Sequence, residues 1–380
     1  MKFVIAPDSY KESMNAVDAA KAIERGILNV FPDAACDILP MADGGEGTAD
    51  SLMYTNFGES IPCKVTNPLE ETVEAKIVWF EERKAALVEV SMACGLMLIP
   101  PYKRDPKIAT SYGVGEMIRE ALKLHPKEII ISLGGTGTSD GGAGMLSALG
   151  AKLLDQSGKE IPRGGGGLSK IVSADLSEPI ERLKGIKVSV LCDVKNTLLG
   201  KKGATNVFAP QKGAKPEDLE FLEAGMKNYA QVVEQYCGRE LSLMEGAGAA
   251  GGIGFALYAI SEAAFTSGSL FVIKALGLEE KIKRCDYVIT GEGSIDSQSL
   301  GGKVPIGIAR LAKKHNKPLL VFAGRIGKHT KELYEQGITA IFCILKGLDS
   351  LERTLNHGEY NLQWTVENVM RLLKAEKESD

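Results

Sequence analysis

Short apolar strands alternate with amphipathic helices at both ends of this 380-residue chain, and this alternation constrains the fold more than any other feature. Residues 2–6 and 36–41 are predicted strands on either side of a predicted helix at 15–30. The same pattern returns after residue 285, with strands predicted at 286–290 and 318–323. Strands that alternate with helices are typical of a parallel sheet covered by helices. The two ends are therefore predicted to build one Rossmann-like sheet.

The middle of the chain has a mixed pattern. Residues 73–80 and 84–91 are two apolar runs separated by three residues, which predicts an antiparallel hairpin. A chain of this length also exceeds one ordinary compact core. We expect an α/β protein of two domains, with a cleft between them where ligands bind. Residues 1–65 and 285–380 form the Rossmann-like domain, and residues 66–284 form an inserted mixed α/β domain.

Composition excludes several classes of protein. The net charge of −4 and the isoelectric point near 5.8 argue against a nucleic-acid partner, which would require a basic surface. The seven cysteines are odd in number and contain no Cys-x-x-Cys, which argues against a disulfide framework. The longest apolar stretch, residues 85–101, is interrupted by Glu89 and is too short to cross a membrane. We expect a cytoplasmic enzyme with no membrane partner, either a monomer or a homodimer.

Five clusters combine glycine with acidic or hydroxyl residues, and most of them follow a predicted strand. They occupy residues 8–13, 43–48, 134–142, 192–194 and 291–296. Glycine lets backbone N–H groups approach an anion closely, and a following helix N-terminus adds partial positive charge. One such cluster is most often only a tight turn with a capping residue. Five in one chain favour a phosphate-binding site.

The side chains in these clusters favour metal-assisted phosphoryl transfer. Such a reaction uses carboxylates to hold Mg²⁺ and to accept the proton of the attacking hydroxyl, and cations to bind phosphates. The carboxylates are Asp43, Glu46, Asp140, Asp193, Glu292 and Asp296. The candidate cations are Lys11, Lys195, Lys212 and Lys303, although a lone lysine is more often a solvated surface charge.

The segment at residues 246–251 matches G-x-G-x-x-G, which leaves a dinucleotide-binding alternative open. The residues before it make a poor strand, so we interpret it as a helix start that packs closely or touches phosphate. A P-loop motif, protein-kinase motifs and His-Glu-x-x-His are all missing from the sequence. The four histidines lie outside every glycine cluster, which disfavours histidine catalysis and zinc binding.

The chain resembles the bacterial type I glycerate kinases along essentially its whole length. The segments that carry the resemblance are APDSYKES (6–13), ADGGEGT (42–48), LGGTGTSDGG (133–142), CDVKNTLLG (192–200), GATNVFAPQKGA (203–214), GAGAAGG (246–252) and TGEGSIDSQ (290–298). This chain has Tyr10 and Glu12 where the family often has Phe and Gly. The resemblance implies a two-domain enzyme that uses ATP, Mg²⁺ and D-glycerate. The usual product of similar enzymes is 2-phosphoglycerate, and the sequence alone does not decide between it and 3-phosphoglycerate.

A site hypothesis follows from the clusters and the resemblance together. Asp193, Asp296 and Lys11 are the predicted catalytic residues, and Asp193, Glu292 and Asp296 are the predicted metal ligands. The predicted substrate-binding residues are Asp8, Ser9, Asp43, Gly44 and Gly45. The predicted nucleotide-binding residues are Gly134, Gly135, Thr136, Gly137, Asp140, Gly246, Gly248 and Lys303. Three alternatives stay open: a kinase of another small sugar acid, a dinucleotide-dependent oxidoreductase, and a nucleotide-binding module without catalysis.

Overall fold

The computed structural model describes residues 1–55, 58–296 and 304–378, and these divide into two compact units. The first unit comprises Met1–Asp43, Asp50–Phe57 and Ser267–Asp380, and the second comprises Gly44–Ala49 and Gly58–Thr266. Each unit is built around its own sheet. The domain limits predicted from the sequence describe domains that fold independently. They stay a prediction.

Thirteen strands and fifteen α-helices lie in the described residues. The strands are β1 (Lys2–Ile5), β2 (Ala35–Ile38), β3 (Glu59–Thr66), β4 (Thr72–Phe80), β5 (Ala85–Glu89), β6 (Glu128–Ser132), β7 (Lys152–Leu154), β8 (Ser173–Asp175), β9 (Lys187–Leu191), β10 (Ala264–Thr266), β11 (Tyr287–Ile295), β12 (Leu319–Ile326) and β13 (Ala340–Cys343). The helices are α1 (Ala16–Leu28), α2 (Thr48–Tyr54), α3 (Ser91–Cys94), α4 (Tyr112–Leu122), α5 (Ala143–Ala148), α6 (Ser177–Leu183), α7 (Ala204–Phe208), α8 (Pro216–Cys237), α9 (Ile253–Ile260), α10 (Gly268–Ala275), α11 (Leu278–Lys283), α12 (Val304–Lys314), α13 (Lys331–Glu335), α14 (Leu351–Asn356) and α15 (Gly358–Lys377). None of these helices is long and apolar enough to span a bilayer.

The sheet of the first unit is entirely parallel, with strand order β13-β12-β11-β1-β2. Its central strands are buried apolar runs because helices cover the sheet. Helix α1 starts where predicted, since the Asn15 side chain accepts a hydrogen bond from the Asp18 N–H at 2.8 Å. Gly26 lets α1 approach α15 closely, because a Cβ at Gly26 would lie 2.7 Å from the Gln363 carbonyl oxygen. The predicted Rossmann-like parallel sheet is confirmed.

The second unit contains a mixed six-stranded sheet with strand order β10-β9-β6-β5-β4-β3. Strands β10, β9, β6 and β5 are parallel to one another, and β4 pairs with β5 and β3 in antiparallel fashion. The predicted hairpin is therefore β4 and β5. Strands β7 and β8 form a separate antiparallel pair. This mixed sheet confirms the expected mixed α/β character of the middle of the chain.

Two local predictions were wrong. The strand predicted at 286–290 runs on to Ile295, because Gly291, Glu292 and Ser294 continue the pairing of β11 with β12. The glycine-rich stretch at 163–167 predicts a flexible loop from its sequence. Instead Gly165–Lys170 is a short 3₁₀ helix in which Gly165 and Gly167 are buried. A Cβ at Gly165 would lie 2.6 Å from the Ser139 carbonyl oxygen, so tight packing rather than flexibility explains the glycine there.

Candidate active site

Three of the predicted site carboxylates, Asp8, Asp43 and Glu292, lie near the carboxyl ends of neighbouring parallel strands in the first unit. Strand β1 pairs with β11 on one side and with β2 on the other. The pairing continues beyond β1, since the Asp8 N–H donates to the Gly291 carbonyl at 2.8 Å. The Met41 N–H donates to the Pro7 carbonyl at 2.9 Å, which holds the segment before Asp43 next to the segment that follows β1. Asp8, Asp43 and Glu292 therefore face one another at the carboxyl edge of the sheet, where α/β proteins commonly bind ligands.

The Asp8 carboxyl group is the electrostatic centre of this cluster. Burial, followed by the negative charge of Asp43, raises its pKa to about 8, and Glu292 acts in the same direction. The Ser9 N–H, which donates to Asp8 Oδ1 at 2.6 Å, and the Lys11 ammonium both oppose this rise. Asp8 can therefore hold a proton near neutral pH and release it when a cation or a donor enters.

The residues after Asp8 build a rigid support beneath the cluster. Tyr10 is buried, and its phenol donates to the Phe322 carbonyl at 2.7 Å. Burial and the charges of Glu292 and Asp8 raise the Tyr10 pKa well above its ordinary value, so the phenol stays protonated. A Cβ at Gly291 would lie 2.1 Å from the Tyr10 hydroxyl oxygen, which explains the glycine in the middle of β11. Lys11 is exposed and Ser9 is half-buried, so both can meet a ligand.

In the second unit the two predicted glycine loops, residues 44–47 and 134–137, lie against each other. A Cβ at Gly134 would be 2.6 Å from the Gly45 Cα. The buried Ser132 hydroxyl donates to the Gly44 carbonyl at 2.7 Å and lies 3.1 Å from the Gly45 carbonyl oxygen. The structure thus brings together two clusters that are 90 residues apart in the sequence.

Glu89 supports these loops, and our sequence analysis did not assign it to the site. Its carboxylate is 2% exposed and accepts hydrogen bonds from the Gly47 N–H at 3.0 Å and the Ala49 N–H at 2.9 Å. The Ser91 hydroxyl also donates to it, at 2.7 Å. The carboxylate binds the amides that begin α2, where negative charge is favourable. A charged residue inside an apolar strand was the signal that could have revealed it.

Asp140 is fully buried, and its carboxylate is occupied by donors from its own unit. Oδ2 accepts from the Ser111 N–H at 2.8 Å, the Ser111 hydroxyl at 2.9 Å and the Gly144 N–H at 3.3 Å, and Oδ1 accepts from the Gly142 N–H at 3.1 Å. Burial raises its pKa, and these hydrogen bonds oppose the rise. We assign Asp140 the role of fixing the starts of α4 and α5. Its direct contact with a nucleotide stays a prediction.

The glycines at 246–251 provide close packing. A Cβ at Gly248 would lie 2.2 Å from the Thr197 carbonyl oxygen, and one at Gly246 would lie 2.8 Å from the Phe265 ring. No strand precedes them, since residues 241–245 form turns. The strand–turn–helix context of a dinucleotide-binding fingerprint is therefore missing here.

The remaining predicted residues are spread over both units. Asp193 is exposed beyond the end of β9, in the second unit. Asp296 follows β11 in the first unit and is half-buried, with Gly327 beside it. Lys303 lies outside the described residues. Thr136 is buried and accepts a hydrogen bond from Lys212 at 3.2 Å.

The carboxylate chemistry suits a magnesium ion. No group of three or more His, Cys, Asp or Glu side chains in residues 1–55, 58–296 and 304–378 forms a ready-made metal cage. Mg²⁺ bound with a nucleotide usually takes only one or two protein carboxylates, together with phosphate oxygens and water. The carboxylates of Asp8, Asp43 and Glu292 repel one another, and a divalent cation would relieve that repulsion. Glu292, which belongs to this cluster and is one of the three predicted metal ligands, therefore fits such an ion.

Comparison with known proteins gives a consistent result along the whole chain. Residues 3–374 match the model of the glycerate kinase family. The chain is 45% identical over 373 residues to a glycerate kinase of Haemophilus influenzae, an alignment that covers 98% of this chain and 99% of the relative. It is 44% identical over 373 residues to the glycerate 2-kinase of Escherichia coli, covering 98% of each chain.

A solved structure is similar over the same extent. The crystal structure of a candidate glycerate kinase 2 from Salmonella typhimurium LT2 superposes on this chain with a TM-score of 0.83. The two sequences are 44% identical. The superposition covers 100% of this chain and 99% of the other.

Proposed function

This chain belongs to the glycerate kinase family, and from that premise we propose that it transfers the γ-phosphoryl group of ATP to a hydroxyl of D-glycerate, giving 2-phosphoglycerate. The observation that carries the proposal is the similarity over the full chain length, to relatives that include a glycerate 2-kinase. The cluster of Asp8, Asp43 and Glu292 beside Lys11 supplies the chemistry such a reaction needs.

Most of the proposed contacts with glycerate come from the first unit. Lys11 is exposed and cationic, so it would bind the glycerate carboxylate. Asp8, Ser9 and Asp43 would accept hydrogen bonds from the hydroxyl groups of glycerate, helped by the neighbouring Gly44 and Gly45. The hydroxyl oxygen attacks the γ-phosphorus, the bond from phosphorus to the ADP oxygen breaks, and the hydroxyl proton passes to a carboxylate.

Magnesium and ATP complete the proposal. When bound, Mg²⁺ would neutralise the charge on the phosphates, and Asp193, Glu292 and Asp296 would hold it. Asp193 or Asp296 would accept the hydroxyl proton. The glycines at 134, 135, 137, 246 and 248, with Thr136, Asp140 and Lys303, would hold the nucleotide. Backbone N–H groups in glycine loops are suited to phosphate oxygens.

The direct test is ATP-dependent ADP release with and without D-glycerate. We expect D-glycerate to stimulate release strongly and phosphorus NMR to identify 2-phosphoglycerate. A panel that includes tartronate and longer aldonates would rank substrates, and a titration with NAD(H) would address the oxidoreductase alternative. ADP release that does not respond to D-glycerate would contradict the proposal, and a 3-phosphoglycerate product would contradict only the position of transfer.

Site variants test the proposed residue roles. Asp193→Asn and Asp296→Asn should each lower turnover by about 10²–10⁴-fold while the protein stays folded, because each removes a proton acceptor or a metal ligand. Asp33→Asn, at an exposed position outside every cluster, is the matched control. Wild-type turnover in both site variants would remove this assignment.

A further inference from the structure

Lys212 is a buried lysine to which the proposed mechanism assigns no role. It ends the short 3₁₀ helix Pro210–Lys212, and the following Gly213 has φ +98°, which turns the chain sharply. The side chain is only 2% exposed. The next helix, α8, starts at Pro216, so the lysine is held between two proline-initiated segments. Its position is therefore set by the backbone on both sides.

The Lys212 ammonium group contacts the loop at residues 134–140, which we call the phosphate loop. Nζ donates to the Thr138 carbonyl oxygen at 2.5 Å and to the Thr136 hydroxyl at 3.2 Å. These acceptors lie on either side of Gly137, whose N–H donates to the Cys94 carbonyl at 2.8 Å. The lysine and the end of α3 together determine the path of this loop.

A third glycine segment, residues 246–252, contacts the phosphate loop next to Lys212. Gly251 has φ +68°, and a Cβ there would lie 2.0 Å from the Thr138 carbonyl oxygen and 3.0 Å from Lys212 Nζ. The Gly141 N–H donates to the Gly251 carbonyl at 2.9 Å. Three separate motifs, at 134–142, 203–214 and 246–252, thus meet around one ammonium group. Such convergence lets a single charge control the shape of all three segments.

Burying an ammonium group carries an electrostatic cost. Burial lowers the Lys212 pKa to about 8, while the neighbouring Cys94 sulfur and Asp140 carboxyl group oppose that change. In the described part of the chain no carboxylate lies within ion-pair distance of Lys212. The lysine therefore keeps a positive charge behind the phosphate loop that no direct partner neutralises.

We propose that Lys212 is a positioning residue whose ammonium group holds the phosphate loop in the shape that receives the phosphates of ATP and adds positive charge behind it. The inference rests on the proposed function, since that function assigns the loop to the nucleotide. The residue acts through Thr136 and Thr138. Its removal therefore weakens the binding of ATP and leaves the binding of D-glycerate nearly unchanged.

The charge of Lys212 gives the inference a pH signature. The titratable groups that face it are the Asp140 carboxyl and the Cys94 thiol, and the Tyr229 phenol faces Asp140. The Cys94 pKa is raised to about 12 and that of Tyr229 lies well above its ordinary value, so neither ionises between pH 7 and 9.5. The ammonium group loses its proton as the pH rises through about 8. Affinity for ATP should fall over the same range.

The experiment compares wild type with Lys212→Met, Lys212→Arg and the exposed control Lys201→Met. MgATP dissociation constants are measured by calorimetry from pH 7 to 9.5, together with kcat and both KM values. We expect Lys212→Met to weaken ATP binding about tenfold or more at pH 7, with KM for D-glycerate changed less than twofold. Lys212→Arg should flatten the fall in affinity above pH 8, because a guanidinium stays charged. Lys201→Met should behave as wild type.

The outcomes separate this inference from the proposed function. Unchanged ATP affinity in folded Lys212→Met, or equal rises in both KM values, would overturn it. If Lys212→Met does not fold, Lys212→Arg decides, and an ATP affinity that falls with pH as steeply in that variant as in wild type overturns the inference. Wild type that binds ATP but does not phosphorylate D-glycerate contradicts the proposed function alone, and the calorimetry still tests Lys212. Wild type that does not bind ATP overturns both.

Discussion

At the scale of single residues, the half-buried carboxyl group of Asp8 and the fully buried one of Asp140 have different polar surroundings. Asp8 lies among other carboxylates, which destabilise its charged form. Asp140 accepts four hydrogen bonds from N–H and O–H donors, which stabilise its charged form. The same substitution, aspartate to asparagine, should therefore change stability in opposite directions at the two positions.

Asp8→Asn should stabilise the protein at high pH. Because the folded pKa of about 8 exceeds the ordinary value of 3.8, the unfolded state releases the proton first and stability falls as the pH rises between these values. Asparagine carries no charge, and its amide oxygen can still accept from the Ser9 N–H. We expect the melting temperature of the variant to be about 2–6 °C above that of wild type at pH 8.5 and equal to it near pH 4. Its KM for D-glycerate should rise about tenfold. A lower melting temperature at pH 8.5 would contradict the assigned environment of Asp8.

Asp140→Asn should destabilise the protein. The amide nitrogen of asparagine would replace one acceptor oxygen and face N–H or O–H groups of Ser111, Gly142 or Gly144. We expect the free energy of unfolding to fall by about 2–3 kcal/mol. Urea unfolding at pH 7, with Asp8→Asn measured in parallel, checks this contrast. A loss of turnover without a loss of stability would instead favour the predicted direct contact between Asp140 and the nucleotide.

At the scale of elements, the strands position the site and the glycines permit its close contacts. The neighbouring positions of β11, β1 and β2 bring Glu292, Asp8 and Asp43 together. In the second unit β6 ends in Ser132, whose hydroxyl binds the loop at 44–47. Gly134 follows two residues later, and the backbone of Gly45 leaves no room there for a side chain. Contact between the two glycine loops therefore depends on the absence of one methyl group.

Gly134→Ala should separate these two loops. The new Cβ would lie 2.6 Å from the Gly45 Cα, and a backbone atom cannot move aside as a flexible side chain can. We expect a loss of about 1–3 kcal/mol of stability and a clear fall in turnover. The matched control is Gly347→Ala, where a Cβ meets nothing within 4 Å and φ is not positive. That control should stay within about 0.5 kcal/mol of wild type. Equal stability of the two variants would show that the loops do not need this contact.

At the scale of the whole molecule, the second unit is assembled from two separate stretches of chain, Gly44–Ala49 and Gly58–Thr266. The short stretch supplies two of the N–H groups that bind the buried Glu89 carboxylate. It also supplies the carbonyl groups that accept from Ser132. A fragment that omits the short stretch would remove the Gly47 and Ala49 N–H donors of Glu89 and the two carbonyl acceptors of the Ser132 hydroxyl.

A fragment of residues 44–266 should therefore be more stable than one of residues 58–266. We expect a difference of at least about 2–4 kcal/mol, or no cooperative folding of the shorter fragment, because a buried carboxylate that loses two of its hydrogen-bond donors is costly. Of the two tryptophans in the chain, Trp79 is the one in both fragments, and its fluorescence reports urea unfolding. Equal midpoints would mean that residues 44–57 contribute nothing to this unit. Glu89→Gln in the longer fragment should reproduce part of the loss.

Much of the architecture and the chemistry was determined by the sequence alone. The period of the apolar residues predicted the parallel sheet, the helix at 15–30 and the hairpin of β4 and β5, since these depend on local pattern and near neighbours. The glycine–acid clusters at 8–13, 134–142 and 192–194 follow strands as predicted, and the clusters together indicated a phosphoryl-transfer enzyme.

Only the tertiary structure decided how these loops are supported. The contact of Glu89 with Gly47 and Ala49, the burial of Lys212 beneath Thr138 and the internal bonding of Asp140 all join residues far apart in the chain. The extension of β11 through Glu292 likewise depends on pairing with β12, which overrides the turn preference of two glycines. Side-chain burial and charge environment are set by the neighbours that folding brings together, and no local pattern contains that information.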